Sequence, residues 1–245
     1  MSYYRTPPYR PSGLVNIGLP SVTPVNRAIM IVCGAVWVCQ LLLYMTFQTD
    51  LPSYVLGIVP GQVMEHGWIW QPFTYMFLHS PNSISHILLN MLMLWMIGGD
   101  LERHWGPRGY LTYYLVCGVG AGVFVTIAGW LSGTTRPTIG ASGAIYGLLL
   151  AYGMIFSERI LLFMMIFPMR ARTMAWILFG IAFVSTWAQS ASGVSHIAHL
   201  GGMVVGYLYL KRAWRVGEMI RSVRWWYQRR KFRVLTRRDD DPWIH

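Results

Sequence analysis

Two apolar runs of this sequence each carry a group able to do chemistry, a hydroxyl on one and an imidazole on the other. Ser142 lies in Gly140-Ala141-Ser142-Gly143 near the head of the uncharged run Ile139–Phe156, and His199 lies in Ala198-His199-Leu200-Gly201-Gly202 in the last apolar run. A serine hydroxyl is a weak nucleophile until a base takes its proton. A neutral imidazole titrates close enough to working pH to be that base. Gly143 and Gly147 on one run, with Gly202 and Gly206 on the other, repeat at small-xxx-small spacing. Such spacing lets two helices approach closely and would bring the oxygen within reach of the ring. Taken on the serine's run alone, the same pattern reads first as helix packing, with serine as interhelical glue.

Further polar residues change that weighting. His86 and Asn90 stand one turn apart in the run Ile84–Gly99, where both could donate to a developing oxyanion together with the Ser142 backbone N–H. No carboxylate accompanies them: Asp50 and Glu65 fall in the first connection, and the other acids flank the far ends of the runs. A Ser-His dyad is therefore expected rather than a full triad. Tyr146, one turn after Ser142, is the residue expected to pack on the imidazole and hold its orientation in place of an acid.

The elements that must position these groups are membrane spans. The 245 residues are 54% hydrophobic and 12% charged, with mean hydropathy +0.40. That charge content is about half the roughly 25% usual in soluble domains. Six apolar runs read as spans: Ala28–Phe47, whose 20 residues suffice to cross, about Ile84–Gly99, Tyr110–Leu131, Ile139–Phe156, Thr173–Ala188 and Val194–Leu210. Between the first two, Asp50 to about Ser83 has no Lys or Arg but many aromatics, and reads as a segment lying in the membrane interface. Ile160–Phe167 is too short to span and is assigned to the interface as well.

The net charge of +11 would otherwise suggest nucleic acid, but the basic residues sit between and after apolar runs. With six spans, every Lys and Arg except Arg136 falls on the side of the two termini, which the positive-inside rule makes cytoplasmic. Residues 1–27 read as a polar, proline-rich tail with no removable signal peptide, and residues 211–245 as a basic tail. That second tail suits anionic lipid, at about 1 kcal/mol per basic residue, as well as plain orientation. Cys33, Cys39 and Cys117 have no paired spacing and read as small apolar residues.

Helix rise from the cytoplasmic ends puts Ser142 about 24 Å up, His86 about 21 Å, His199 about 18 Å and Asn90 about 15 Å. In a hydrocarbon core of about 30 Å, all four fall in the outer half. Polar groups at such depth are costly unless they face an interior or a wet cavity, which favours function over accident.

In order and on matching spans, these residues resemble the rhomboid intramembrane serine proteases. The matching elements are His86-Ile-Leu-Leu-Asn90, Gly140-Ala-Ser142-Gly143 with Tyr146, and Ala198-His199-x-x-Gly202-x-x-x-Gly206. Gly98-Gly99-Asp100-Leu101-Glu102-Arg103, Trp70-Gln71-Pro72-Phe73-Thr74 and Phe77-Leu78-His79 are similar to that family too, over about residues 28–210. The resemblance implies an all-α polytopic membrane protein: a six-helix bundle with a membrane-associated first loop, between cytoplasmic tails at 1–27 and 211–245. It implies hydrolysis of a peptide bond within or beside a substrate transmembrane helix. Ser142 would be nucleophile and His199 base; His86, Asn90 and the Ser142 N–H would form the oxyanion site, Tyr146 would support His199, and neither metal nor cofactor is required. A bacterial plasma membrane is the simplest home, because the N-terminus is no clear Arg/Ser-rich presequence.

Two positions depart from the family pattern. Gln71 stands where many members have Arg, which leaves the anchoring of the first loop open, and His104 stands where some have a basic residue, which leaves Glu102's partner open. His79 and His196 read as hydrogen-bonding residues of the loop and cavity rather than further bases. A metal or haem centre is the first rival, but no HExxH occurs and His196/His199 is only an i,i+3 pair. A transporter would show an internal repeat, which is missing. A catalytically silent relative that binds transmembrane helices is the remaining alternative; such relatives usually lack the serine or the histidine, and both are present here.

Overall fold

The structure is a computed structural model describing residues 20–163, 166–187 and 196–211. The first tail to residue 19, the basic tail from residue 212, Ala188 and the start of the sixth expected span at Val194 lie outside the described residues. Helix α1, Pro24–Phe47, runs 24 residues, or about 36 Å, ample for a bilayer crossing. Its fixed-φ proline sits at the start, where a missing N–H costs nothing. The connection after it folds into three short helices, α2 (Leu51–Leu56), α3 (Pro60–His66) and α4 (Gln71–Thr74), then a 3₁₀ turn at Tyr75–Phe77.

Helix α5, Ile84–Met93, passes through a π turn at Leu94–Gly98 into α6, Gly99–Leu131. The expected break at Gly99 is absent because Asp100, Glu102 and Arg103 are accommodated as helix. Asp100 meets Arg103, Arg159 and Tyr152, and Glu102 turns to α1. The chain breaks instead at Gly106, whose φ of +75° only glycine adopts readily, and Pro107 starts the next helical arm. The π turn has a visible cause: Asn26 of α1 donates from Nδ2 to the Leu94 carbonyl at 2.9 Å and accepts from the Tyr110 hydroxyl at 2.8 Å. A β-carbon at Gly98 would lie 2.4 Å from the same Asn26 side chain, so glycine makes the notch.

Helix α7, Ser142–Ile155, is the buried centre and packs on α6, α8 and the α5 segment. It begins at Ser142 rather than Ile139 because Thr138 is drawn into an antiparallel bridge with Ile58 and Gly140 has φ +124°. After α7, Ile160–Phe163 and Phe167–Arg170 pair as a two-stranded antiparallel hairpin, β1 and β2. Helix α8, Ala171–Trp187, and a last helix, α9, over 196–211, complete the described chain.

The glycines of α7 and α9 meet directly. A β-carbon at Gly202 would lie 1.9 Å from the Gly143 carbonyl oxygen, and one at Gly147 would lie 2.5 Å from Cys117 Sγ and 3.0 Å from the Gly202 oxygen. One at Gly206 would lie 2.4 Å from the Tyr113 hydroxyl. Overpacking of this kind costs about 1–3 kcal/mol, so Gly202→Ala is expected to lower the thermal unfolding midpoint in detergent. Gly34→Ala, where a β-carbon meets nothing within 4 Å, is expected to leave that midpoint unchanged or raise it through helix propensity.

Candidate functional site

Ser142 is the first residue of α7, where the opening N–H groups of a helix have no partner inside it. Its hydroxyl lies 2.8 Å from His199 Nε2 of α9. The imidazole is buried and lies flat on the Tyr146 ring, with centroids 4.0 Å apart and planes 5° from parallel. Nδ1 of His199 is buried with no hydrogen-bond partner among the described residues, and the tyrosine face supports the ring. With the Nδ1 proton in place, the serine hydroxyl donates to Nε2, the arrangement a proton acceptor requires.

His86 comes from α5, and its Nε2 is so close to Gly140 that a β-carbon there would lie 2.6 Å from it. Its other nitrogen, Nδ1, accepts a long 3.4 Å bond from the Ser80 N–H. An accepting Nδ1 leaves the proton on Nε2, aimed at the Gly140–Ser142 turn. Asn90, also buried, donates from Nδ2 to the His86 carbonyl at 2.9 Å, one turn back on its own helix. Ser142, His199 and Tyr146 are thus brought together with His86 at the edge, while this hydrogen bond of Asn90 stays within α5. A larger residue at Gly140 would strike His86, while one at Gly143, Gly202 or Gly206 would strike the α7–α9 seam and its neighbours Ala121, Tyr75 and Tyr113.

His79 is fully buried and meets the His86 ring edge to face with centroids 5.1 Å apart. Burial, with the neighbouring His86, pushes its pKa down to about 3, which keeps the ring neutral. His196 stands edge to face with His199 at 6.0 Å.

Several supporting residues gave no signal in the sequence. Gln40, buried in α1, accepts from the His79 N–H at 2.9 Å, and Trp37 donates to the Ser80 carbonyl at 3.1 Å. The Tyr75 hydroxyl donates to the Gly118 carbonyl at 2.7 Å and sits against Gly143. Uncharged polar residues in apolar runs look alike in sequence, and only the partner across the bundle separates a core amide from a surface one.

The two departures find their answers in the first loop and at α1. Gln71 Oε1 accepts from the Val59 N–H at 2.9 Å, while Nε2 donates to Gln62 Oε1 at 2.8 Å and to the Tyr54 carbonyl at 3.1 Å. The amide therefore ties α2, α3 and α4 together with no charge. Glu102 accepts from the Thr23 hydroxyl and from the backbone N–H groups of Val25 and Asn26, the last at 2.8 Å, capping α1. Its partners are thus on α1, and His104 packs edge to face on Phe156 with centroids 5.6 Å apart.

The Rhomboid domain pattern matches residues 66–215, more than half of the chain. With the glycine-spaced helices and the Ser142–His199 contact on one bundle, the protein is an all-α integral membrane protein of the rhomboid class. The chain belongs to the rhomboid family. It is similar to Rhomboid protein 1, mitochondrial, of Saccharomyces cerevisiae, with 28% identity over 194 residues, 74% of this chain and 47% of that protein. It is similar to Rhomboid protease GluP of Bacillus subtilis, with 28% identity over 154 residues, 62% of this chain and 27% of that protein. Rhomboid protease GlpG of Yersinia pseudotuberculosis is 25% identical over 191 residues, 76% of this chain and 61% of that protein. The chain therefore spans less than two thirds of the length of each.

Gln71 satisfies a buried N–H and two further groups, so Gln71→Ala leaves them unpaired at about 1–3 kcal/mol each in the worst case. The expected outcome is a lower unfolding midpoint and faster proteolysis within residues 50–75, read by limited digestion. Wild-type digestion kinetics would remove Gln71 as the anchor.

Proposed function

We propose that the protein is an intramembrane serine endopeptidase that cuts substrate transmembrane helices with a Ser142–His199 dyad. The observation that carries this is the 2.8 Å approach of the Ser142 hydroxyl to His199 Nε2 at the start of a buried helix. His199 takes the hydroxyl proton as Ser142 Oγ attacks the scissile carbonyl, giving a tetrahedral oxyanion. The amine then leaves with that proton and an acyl-serine remains. Water, deprotonated by the same imidazole, attacks the ester and returns the serine.

The oxyanion forms beside the N-terminus of α7, where the Ser142 N–H has no intrahelical partner. His86, with its proton on Nε2, and Asn90, through the amide hydrogen not used toward its own helix, are the further donors in this reading. The flat Tyr146 face fixes the imidazole plane in the role an acid has in a triad. Because the peptide bond of a membrane helix is shielded by its own hydrogen bonds, the substrate class is a helix with small or helix-weakening residues near the cut. The two bacterial relatives, each named a rhomboid protease, support the reaction class.

The reading includes topology. Six spans, made by α1, the α5–α6 segment to Gly106, the arm from Pro107, α7, α8 and α9, put both termini on the cytoplasmic side, by the positions of Lys and Arg. A bacterial plasma membrane is the host we propose, two of the three relatives above being bacterial.

The test is cleavage of a generic transmembrane substrate in proteoliposomes. Ser142→Ala and His199→Ala are each expected to reduce turnover more than about 10³-fold, and cleavage persisting in Ser142→Ala would overturn the assignment. His86→Ala and Asn90→Ala are expected to lower turnover by about 10²–10³, the range of a lost oxyanion donor in a soluble serine protease. Unchanged turnover in either variant would remove that residue from the oxyanion site.

A further inference from the structure

A groove separate from the Ser142 region opens between α7, α8 and α9, on the arginine-rich side of the bundle. Its volume is about 310 Å³, and its walls include Leu150 and Met154 of α7, Trp176 and Phe179 of α8, and Val204 and Leu208 of α9. That size is at the lower bound of pockets that hold small ligands, which are apolar with a few placed polar groups. Among the described residues lining it, Arg172 is the one charged side chain. At one end of the groove α8 touches α7 closely at Gly153, where a β-carbon would lie 2.8 Å from that of Ala175.

Among the described residues, the charges at its mouth do not cancel. Arg172 and Arg170 share a single carboxylate, Glu158, at 2.8 and 3.2 Å. Lys211 adds a second cation with no ion pair among the described residues, its ammonium 5.5 Å from the centre of the Tyr207 ring, and Tyr207 also lines the groove. The remaining nearby cation, Arg159, shares Asp100 with Arg103. An apolar slot with surplus positive charge at one end complements a molecule with a hydrocarbon tail and an anionic head. In an integral membrane protein the bilayer itself supplies that molecule. Basic pockets between helices are the usual receptors for anionic lipid heads.

We propose that this groove is a binding site for one anionic glycerophospholipid. An acyl chain lies between α8 and α9, and the phosphate meets Arg172 and Lys211. The site is independent of the Ser142–His199 reading, so either can fail without the other.

Native mass spectrometry of the delipidated full chain in detergent tests it, with phosphatidylglycerol and phosphatidylcholine of identical acyl chains titrated separately. The wild type is expected to retain one phosphatidylglycerol in preference to phosphatidylcholine by about fivefold or more, from about 1 kcal/mol per basic group. Arg172→Gln is expected to lose most of that preference, while Leu208→Trp, at an exposed groove position, weakens both lipids by filling the slot. The two variants act on different parts of the site, so either one reports on it if the other does not fold. Equal binding of the two lipids by the wild type would overturn the proposal, as would wild-type binding in both variants.

Discussion

The approach of α7 to α9 over paired glycines is the constraint on which the rest of the structure depends. The Gly143 carbonyl and Gly202 are so close that no side chain fits between them, and Gly147 and Gly206 continue the contact by one turn. Water offers no hydrophobic drive between helices inside lipid, so van der Waals contact of bare backbones is the force available. Ser142 precedes Gly143 by one residue and His199 precedes Gly202 by three, which places both at the same end of this seam. The 2.8 Å contact between hydroxyl and imidazole follows from the register of the glycines. Tyr146 lies between Gly143 and Gly147 in sequence, and the same register stacks its ring on His199.

A second scaffold holds His86 against this seam. Helix α1 binds the α5–α6 segment through Asn26 at the π turn and through the cap that Glu102 provides. Higher on α1, Gln40 and Trp37 fix the backbone of His79 and Ser80, and the Ser80 N–H reaches His86 Nδ1. Gly140 completes the arrangement because its positive φ turns the chain into α7 and its missing side chain admits the His86 ring. The links from α1 to His86 are hydrogen bonds, as expected where the surroundings offer little water to satisfy a loose donor.

The apolar helices were legible because long, uncharged apolar runs suit helices in a bilayer, and the glycine spacings marked the faces in contact. Boundaries were less so, for identifiable reasons. Asp100, Glu102 and Arg103 look like the end of a span, yet the helix carries them to Gly106, because Glu102 caps α1 and Asp100 ties to Arg103, Arg159 and Tyr152. The apolar run from Ile139 hides a bridge at Thr138 and a turn at Gly140, so Ser142 opens a helix instead of lying within one. Ile160–Phe167 reads as interfacial, and most of it pairs as a hairpin whose register depends on partners at Pro168–Arg170. Asn26 and Gln40 gave no warning at all, since a buried amide is recognised by its partner, which sequence does not display.

The most direct measurement is the rate at which a fluorophosphonate probe labels Ser142 in wild type, His199→Ala and Gly202→Ala, with the labelled peptide identified by mass. If the glycine seam sets the contact, labelling is confined to Ser142 in the wild type and drops sharply in both variants. Labelling of Gly202→Ala at the wild-type rate would contradict the account, because the nucleophile and its base would then meet without the close approach of α7 and α9.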